Sequence, residues 1–357
     1  MTKDDRRLRI GVLGCGPIAQ FAHFDAVRKA RNADLYAICD LAPDLVERMA
    51  AIHRPVRTFH DYATMLADPE IDAVIVAIAD QFHVEACRAA IAAKKHVLVE
   101  KPLGTSVEEC ETLRSEVRVS GLILQVGNNR RFDPGVEYAA RFIREEMGGI
   151  LALRAWYCDS THRYDMTDNL QPIPILSDLA RKPVGDPKSD RKRYYVLGHG
   201  SHLVDTARYL GGPIEWVRAR HLARFDAHSW FVEVQYESGA MGQLDLTIPI
   251  RGDFQEGFAV YGEHGSASGK IHLPWFFKSA DVECFSERDR TFRRPLGEDG
   301  YSYKRQIEGF AATILDAAPM IGATVDDGTA AMRAMVAIAR SVESGERVEL
   351  ANVKGGV

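Results

Sequence analysis

Along the first 126 residues, short apolar runs alternate with stretches of helical period. Runs at 8–13, 33–39, 73–79, 96–99 and 122–126 predict strands, and stretches at 18–30, 43–52, 84–93 and 106–120 predict the helices between them. The run at 73–79 is continuous rather than alternating, as in a strand covered on both faces. Pro43 suits the first turn of its helix. Ser106, with Glu108 and Glu109 behind it, reads as a capped and charge-matched helix start. Such alternation predicts a parallel sheet with right-handed crossovers, a doubly wound α/β fold.

The texture changes after Gly127. A helix over 136–147 and a strand over 150–157 lead into 159–193, a polar stretch rich in proline, lysine and aspartate that reads as an ordered loop or lid. A helix over 201–210 stops at Gly211-Gly212. Strands over 217–222, 230–236, 241–248, 258–262 and 267–271 follow with short connections, which predicts an open, mainly antiparallel sheet. Helices over 303–316 and 327–344 complete an α+β second domain. The expected division is 1–126 and 127–357, in keeping with a chain of 357 residues.

Composition narrows the function classes. A net charge of -5 argues against a nucleic-acid partner, which would call for a basic excess. No apolar run is long enough to span a bilayer, and the N-terminal MTKDDRRLRI enters a strand at once, with no signal-peptide core. No membrane association and a cytoplasmic location are therefore expected. The 6 cysteines form no CxxC pair and read as reduced core residues.

Gly14-Cys15-Gly16-Pro17-Ile18-Ala19 is a G-x-G-x-x-A turn between the first strand and first helix. Gly14 allows the tight turn, Gly16 leaves room for a pyrophosphate, and Ala19 lets the helix lie close to the sheet. The helix start then offers free N–H groups and a positive dipole end. Strand, turn, helix and an acid about twenty residues on agree with a Rossmann dinucleotide-binding domain. Gly14, Gly16, Pro17 and Ile18 are thus expected to hold the cofactor. The acid is Asp40, placed to accept from a ribose 2′-hydroxyl and to repel a 2′-phosphate. With Leu41 beside it rather than arginine or serine, NAD is expected; the alternative for Asp40 is a turn aspartate opening the next helix.

The stretch His96-Val-Leu-Val-Glu-Lys-Pro-Leu-Gly104 resembles the glucose–fructose oxidoreductase / inositol dehydrogenase / rhizopine catabolism family (Gfo/Idh/MocA). The resemblance extends through 72–83, 127–134, 200–205 and 326–332, nearly the whole chain. It implies an oxidoreductase of sugars, sugar derivatives or cyclitols. By it, Lys101 would contact the reacting hydroxyl and help move its proton, and Glu100 would approach the nicotinamide ribose. On the residues alone, a lysine at the carboxyl end of a parallel strand sits where such sheets bind ligands, and a cation there favours alkoxide character. Without the resemblance, Lys101 is equally a surface lysine before a proline turn. Ile78 and Ala79, at the end of the 73–79 strand, and Gln81 and His83 just beyond it are expected to line the cofactor. Asn128, Asn129 and Arg131 would approach the nicotinamide and substrate; for Arg131 the alternative is a structural ion pair.

The family's Asp-x-x-x-His pattern, whose histidine is a general acid/base, aligns with Gly198 and His202. An imidazole titrating near neutrality suits that work. Glycine stands where the family has its assisting aspartate, and His199, Asp190 and Tyr195 are all open as substitutes. His199, His202 and Asp205 have a spacing compatible with a metal, but nothing further completes a ligand set, so no metal is expected. The loop offers His162, Arg163, Tyr164, Asp165, Asn169 and Asp178, with Trp156 and Tyr157 able to pack on a sugar ring; Tyr157, Arg163, His199 and His202 are the expected substrate contacts. The alternative is a solvated excursion. Arg163 and the basic run 188–193 would also suit a carboxylated sugar. Two other functions stay open: a glycosidase that retains NAD and acts by transient oxidation and elimination, and a non-catalytic NAD-binding sensor. An open sheet further predicts a homodimer or homotetramer.

Overall fold

The computed structural model describes residues 6–162, 165, 170, 173–180 and 189–357. The chain forms two compact units. The first comprises Met1–Asn129, Gln171–Ser189 and Tyr303–Thr329, the second Arg130–Leu170, Asp190–Ser302 and Ala330–Val357. Sequence reading places one boundary after residue 126. The first stretch runs to Asn129, and two later stretches return to the first unit.

The chain opens with β1 (Leu8–Leu13), a π-helical turn (Ala19–His23) running into α1 (Phe24–Lys29), β2 (Ala33–Cys39), α2 (Pro43–His53), β3 (Arg57–Phe59) and α3 (Tyr62–Ala67). β4 (Ala73–Val76), α4 (His83–Ala92), β5 (His96–Val99), α5 (Val107–Ser120) and β6 (Leu124–Val126) follow. Next come α6 (Pro134–Glu145), β7 (Ile150–Ser160), α7 (Arg191–Gly198), α8 (Gly200–Gly211), β8 (Ile214–Arg224), β9 (Ala227–Tyr236) and β10 (Met241–Ile250). β11 (Gln255–Gly262), β12 (Gly265–Ile271), β13 (Asp281–Ser286), β14 (Thr291–Arg293), α9 (Ser302–Asp316), β15 (Ala323–Thr324), α10 (Val325–Ser344) and β16 (Val348–Glu349) end the chain. No helix among the described residues is long and apolar enough to cross a membrane.

In the first unit the strand order is β3-β2-β1-β4-β5-β6, all parallel, with β15 antiparallel on the β6 edge. All four residues of β4 are buried, as a strand covered on both faces requires. The order reverses between β1 and β4, and in sheets of this kind the ligand crevice lies beyond the carboxyl ends at that reversal. There the Ala77 amide donates to the Leu13 carbonyl at 2.9 Å. Among the described residues, seven elements escape the apolar pattern: β3, α3, α7, β13, β14 and the two-residue β15 and β16. In β3, Arg57 and Thr58 are exposed on an edge strand, so nothing alternates. α3 has 6 residues, too few for a helical period to emerge. α7 begins inside the expected loop, and the three-residue β14 is mostly exposed.

The second unit's sheet runs β14-β13-β12-β11-β7-β10-β9-β8-β16. Its pairs are antiparallel except β7 with β10, which are parallel. Trp230, Val232, Val234 and Tyr236 of β9 are buried while Phe231 and Glu233 are exposed, the alternation of a sheet with one covered face. α6 and α8 pack on the sheet.

Among the described residues of this unit, two arginine–carboxylate pairs are buried. Arg130 grips Glu256 of β11, with Nε 2.9 Å from Oε1 and Nη2 2.8 Å from Oε2. Arg131 grips Asp205 of α8, with Nε 3.0 Å from Oδ2 and Nη2 2.7 Å from Oδ1. Arg131 therefore meets the second of its two expectations, an ion pair, and its fork is committed to a side chain of its own unit. Burial pushes the Glu256 carboxyl above its ordinary range, and the charge and hydrogen bonds of Arg130 pull against that shift. Replacing Arg130 by Met should cost about 3–5 kcal/mol in urea-unfolding stability, because Glu256 is left buried opposite no guanidinium. Adding Glu256→Leu should recover more than half of the loss. A single variant as stable as the parent would contradict this account.

Candidate active site

The nucleotide turn follows β1 directly. Gly14 has φ +96°, and a Cβ there would lie 2.4 Å from the Ala77 carbonyl oxygen, so no larger residue fits where β1 and β4 meet. A Cβ on Gly16 would meet nothing within 4 Å: the space in front of the turn is open. Asp40 stitches the turn to the end of β2. Its Oδ2 accepts from the Cys15 amide at 2.8 Å and its Oδ1 from the Ala42 amide at 2.9 Å. Each carboxylate oxygen has further acceptor capacity for a ribose hydroxyl.

A cleft of about 680 Å³ opens at this point. Gly14, Gly16, Pro17, Ile18, Asp40, Ile78 and Ala79, seven residues anticipated from the sequence, line it, as does Leu41. Asp61, Tyr62, Phe82 and Glu85 also line it and were not anticipated. Asp61 caps α3 by accepting from the Thr64 amide at 2.7 Å, so Asp61-x-x-Thr64 was the available signal. The volume and the open turn fit a dinucleotide.

The cleft has a border from an unexpected source. Residues 173–180, part of the stretch expected to form the substrate loop, lie against the nucleotide turn. The Gln20 carboxamide accepts from the Ile175 amide at 2.9 Å and donates to the Ile175 and Cys15 carbonyls at 2.9 and 2.8 Å. Ser177 Oγ donates to Asp44 of α2 at 2.7 Å, and Ala180 lines the cleft. Asp178 thus belongs to this strap. Arg163, Tyr164 and Asn169 lie outside the described residues, and His162 pairs with Asp165 at 3.2 Å on the surface.

Glu100 and Lys101 close β5. Glu100 is buried; its Oε1 lies 2.9 Å from His23 Nε2, and its Oε2 accepts from the Lys101 amide at 3.2 Å. Burial raises the Glu100 pKa, but the hydrogen bond and charge of His23, with Lys101 and His83, outweigh it and leave the carboxyl below its ordinary range. His83 is buried, with Nδ1 2.7 Å from the Pro102 carbonyl and Nε2 3.1 Å from the Ile78 carbonyl. Its ring therefore ties the cleft loop to the lysine loop. Gln81 sits in the short helical turn Asp80–Phe82, and Asn128 and Asn129 are buried at the end of the first unit's opening stretch.

In the second unit the aromatic and imidazole side chains converge. The Tyr157 ring of β7 stacks on His202 of α8 with centroids 5.6 Å apart and planes 5° from parallel. The same ring meets His199 at 5.7 Å. His199 Nε2 is 3.2 Å from Asp159 Oδ2. Asp190 caps α7 by accepting from the Arg193 amide at 3.0 Å, and Tyr195 packs edge-on against both His199 and His228. His221 Nε2 and His228 Nδ1 are 3.1 Å apart. Burial, then the charge of His228, brings His221 down to about 4, and burial with Arg191 lowers His228. Among the described residues, no group of three or more His, Cys, Asp or Glu is arranged to hold a metal ion.

The family model described as "Oxidoreductase family, NAD-binding Rossmann fold" matches residues 8–128, and its C-terminal domain model matches residues 180–268. Inositol 2-dehydrogenase 2 of Saccharopolyspora erythraea is 30% identical over 349 residues, 95% of this chain and 94% of that protein. Inositol 2-dehydrogenase of Acidothermus cellulolyticus is 37% identical over 272 residues, 74% of this chain and 73% of its own. A levoglucosan dehydrogenase solved with NADH and levoglucosan shares the fold, with a TM-score of 0.78 at 21% identity, over 97% of this chain and 100% of that one.

Two measurements check this geometry. Gln20→Ala combined with Ser177→Ala removes the strap's side-chain attachments to the nucleotide turn and α2, and stopped-flow release of NADH should accelerate by about tenfold, the worth of one or two hydrogen bonds; an unchanged rate would show that the strap does not retain the dinucleotide. The second concerns pH. His221 stays neutral in the folded chain down to about 4, and His228 is also held below its ordinary value, while the unfolded chain protonates both from 6.5 downward, so the unfolded state binds more protons below pH 6.5, for His221 down to about 4. Stability contributed by the pair is thus present above 6.5 and lost on acidification through that window. In a His221→Gln, His228→Gln variant, the acid limb of the Tm-against-pH curve should be shallower than in the parent.

Proposed function

The chain belongs to the Gfo/Idh/MocA family of NAD-binding oxidoreductases, and on that footing we propose that it oxidises a secondary or anomeric hydroxyl-bearing carbon of a sugar, sugar derivative or cyclitol, with Lys101 and His202 handling the proton. The observation that carries the reading is Lys101, which directly follows the buried anion Glu100 at the carboxyl end of β5, in the unit that holds the cleft. Inositol dehydrogenases among the relatives favour a polyhydroxylated substrate.

Gly14, Gly16, Pro17 and Ile18 hold the pyrophosphate side of the dinucleotide, and Asp40 selects the unphosphorylated ribose. The bound nicotinamide supplies the hydride acceptor. Lys101 donates to the substrate hydroxyl oxygen and stabilises the negative charge that grows on it. His202 takes the hydroxyl proton and passes it to solvent, so the reaction yields a carbonyl product, NADH and one proton. Tyr157, stacked on the imidazole, restricts its plane. The reading includes a cytoplasmic homodimer or homotetramer. It would assemble through the outward sheet face, where Leu222, Phe231 and Met241 are exposed.

A panel of polyols, cyclitols and aldoses with NAD should produce the NADH absorbance band for at least one class. Lys101→Ala and His202→Ala should each lower kcat by about 10²–10⁴-fold while NAD binding stays close to that of the parent. The parent enzyme should sediment as a dimer or tetramer. Tight NAD binding with no turnover anywhere in the panel would sink the dehydrogenase reading. Release of an aglycone without net NADH would replace it with the eliminating glycosidase.

A further inference from the structure

We infer that Asp159, acting through His199, is the carboxylate that orients the imidazole pair of the second unit for proton transfer, the task for which Gly198 leaves the helix without an acid. The inference rests on the dehydrogenase reading above. Asp159 lies near the end of β7, two residues beyond Tyr157 and therefore on the same face of the strand. Its side chain is 8% exposed and that of His199 is 13% exposed, so both are largely withdrawn from water. Asp159 Oδ1 accepts from the Ser160 amide at 2.9 Å, which orients the carboxylate, and Oδ2 faces His199 Nε2 at 3.2 Å.

From this point the contacts are consecutive. His199 leans on the Tyr157 ring at 5.7 Å, and the same ring carries the stacked imidazole of His202 at 5.6 Å. Tyr194 and Tyr195 of α7 close the edges of His199 at 5.8 and 5.6 Å. A carboxylate at hydrogen-bond distance holds its imidazole with the proton on the facing nitrogen and stabilises the positive charge that arrives when a proton is taken up. In a site this dry, that field also reaches the neighbouring ring. Asp159 touches no reacting atom in this scheme and is a positioning residue.

Position 198 itself has room for a side chain to start: a Cβ on Gly198 would meet nothing within 4 Å. Steric exclusion therefore does not account for the glycine. The carboxylate has been supplied from the strand instead of from the turn between α7 and α8.

The test is a set of variants in the full chain, read with whichever panel substrate the parent oxidises. Asp159→Asn keeps the size and the acceptor for Ser160 and removes the charge. It should lower kcat by about a hundredfold with KM changed less than threefold. His199→Gln should do the same, and the double variant should be no worse than either single, because a pair acting as one device is lost once. Adding Gly198→Asp to Asp159→Asn should restore at least tenfold of the lost kcat, a gain that a packing role for Asp159 would not produce. Additive losses, a kcat unchanged by Asp159→Asn, or absence of rescue would each overturn the assignment. Nitrogen-15 chemical shifts of the His199 ring provide a readout independent of turnover: Nε2 should carry the proton in the parent, and the tautomer should become mixed in Asp159→Asn, even if the variant is too unstable for kinetics. Parent enzyme inactive on every panel member, with this shift signature present, would overturn the dehydrogenase reading and leave the Asp159–His199 pairing standing; the reverse pattern would overturn the pairing alone.

Discussion

Adjacent buried arginines set the frame of the second unit. A guanidinium out of water is tolerable only opposite a carboxylate held in good geometry, and removing either partner strands a charge. Arg130 and Arg131 meet that demand on different elements, Glu256 on β11 and Asp205 on α8. The short turn that carries them therefore cannot move without dragging a strand and a helix with it. Asp205 is one helical turn past His202, so the same pair fixes the rotation and height of the imidazole on α8. Glu256 faces Tyr157 across the β7–β11 ladder, which brings the other ring of the stack into the same frame. Charges with no part in chemistry thus locate the groups assigned to it.

The nucleotide unit uses carboxylates in a comparable way. Asp40 gathers the amides of Cys15 and Ala42, and Glu100 gathers His23 and the amide of Lys101. In each case an anion at the end of a parallel strand organises backbone that faces the cleft or the lysine. His83 extends the arrangement by joining the loops after β4 and β5 through two carbonyl oxygens. An acid at a strand end has two tasks here, recognition and the rigidity that makes recognition selective.

Much of this was legible in the sequence, and the boundary of legibility has physical causes. Strands covered on both faces, such as β4, announce themselves by continuous burial, and the turn Gly14–Ala19 by its unusual backbone demand. Glycine and aspartate at those places have few alternative explanations. Side chains that act across the fold were silent: His23 reads as an ordinary helix residue until it is found 2.9 Å from Glu100. Asp159 read as the start of a polar loop, since nothing local to it indicates His199, forty residues on. The strap was misjudged for the same reason, because its attachment is a backbone-to-carboxamide bond between Ile175 and Gln20, in which the identity of residue 175 plays no part. The ion pair at Arg131 was one of two alternatives, and nothing local in the sequence names Asp205 as its partner.

Each unit is assembled from three separate stretches of chain, so the polypeptide passes from one to the other five times. The unit bearing the nucleotide turn is not an N-terminal module that a single crossover could transplant. A chimaera joined at residue 129 would take its strap and the α9–β15 segment from the other parent, and the Gln20 carboxamide would then meet a foreign backbone. Recombination among relatives can exchange these halves only where both parents thread the returning segments alike. Moving the nucleotide unit from one parent to another therefore means transferring its three stretches together.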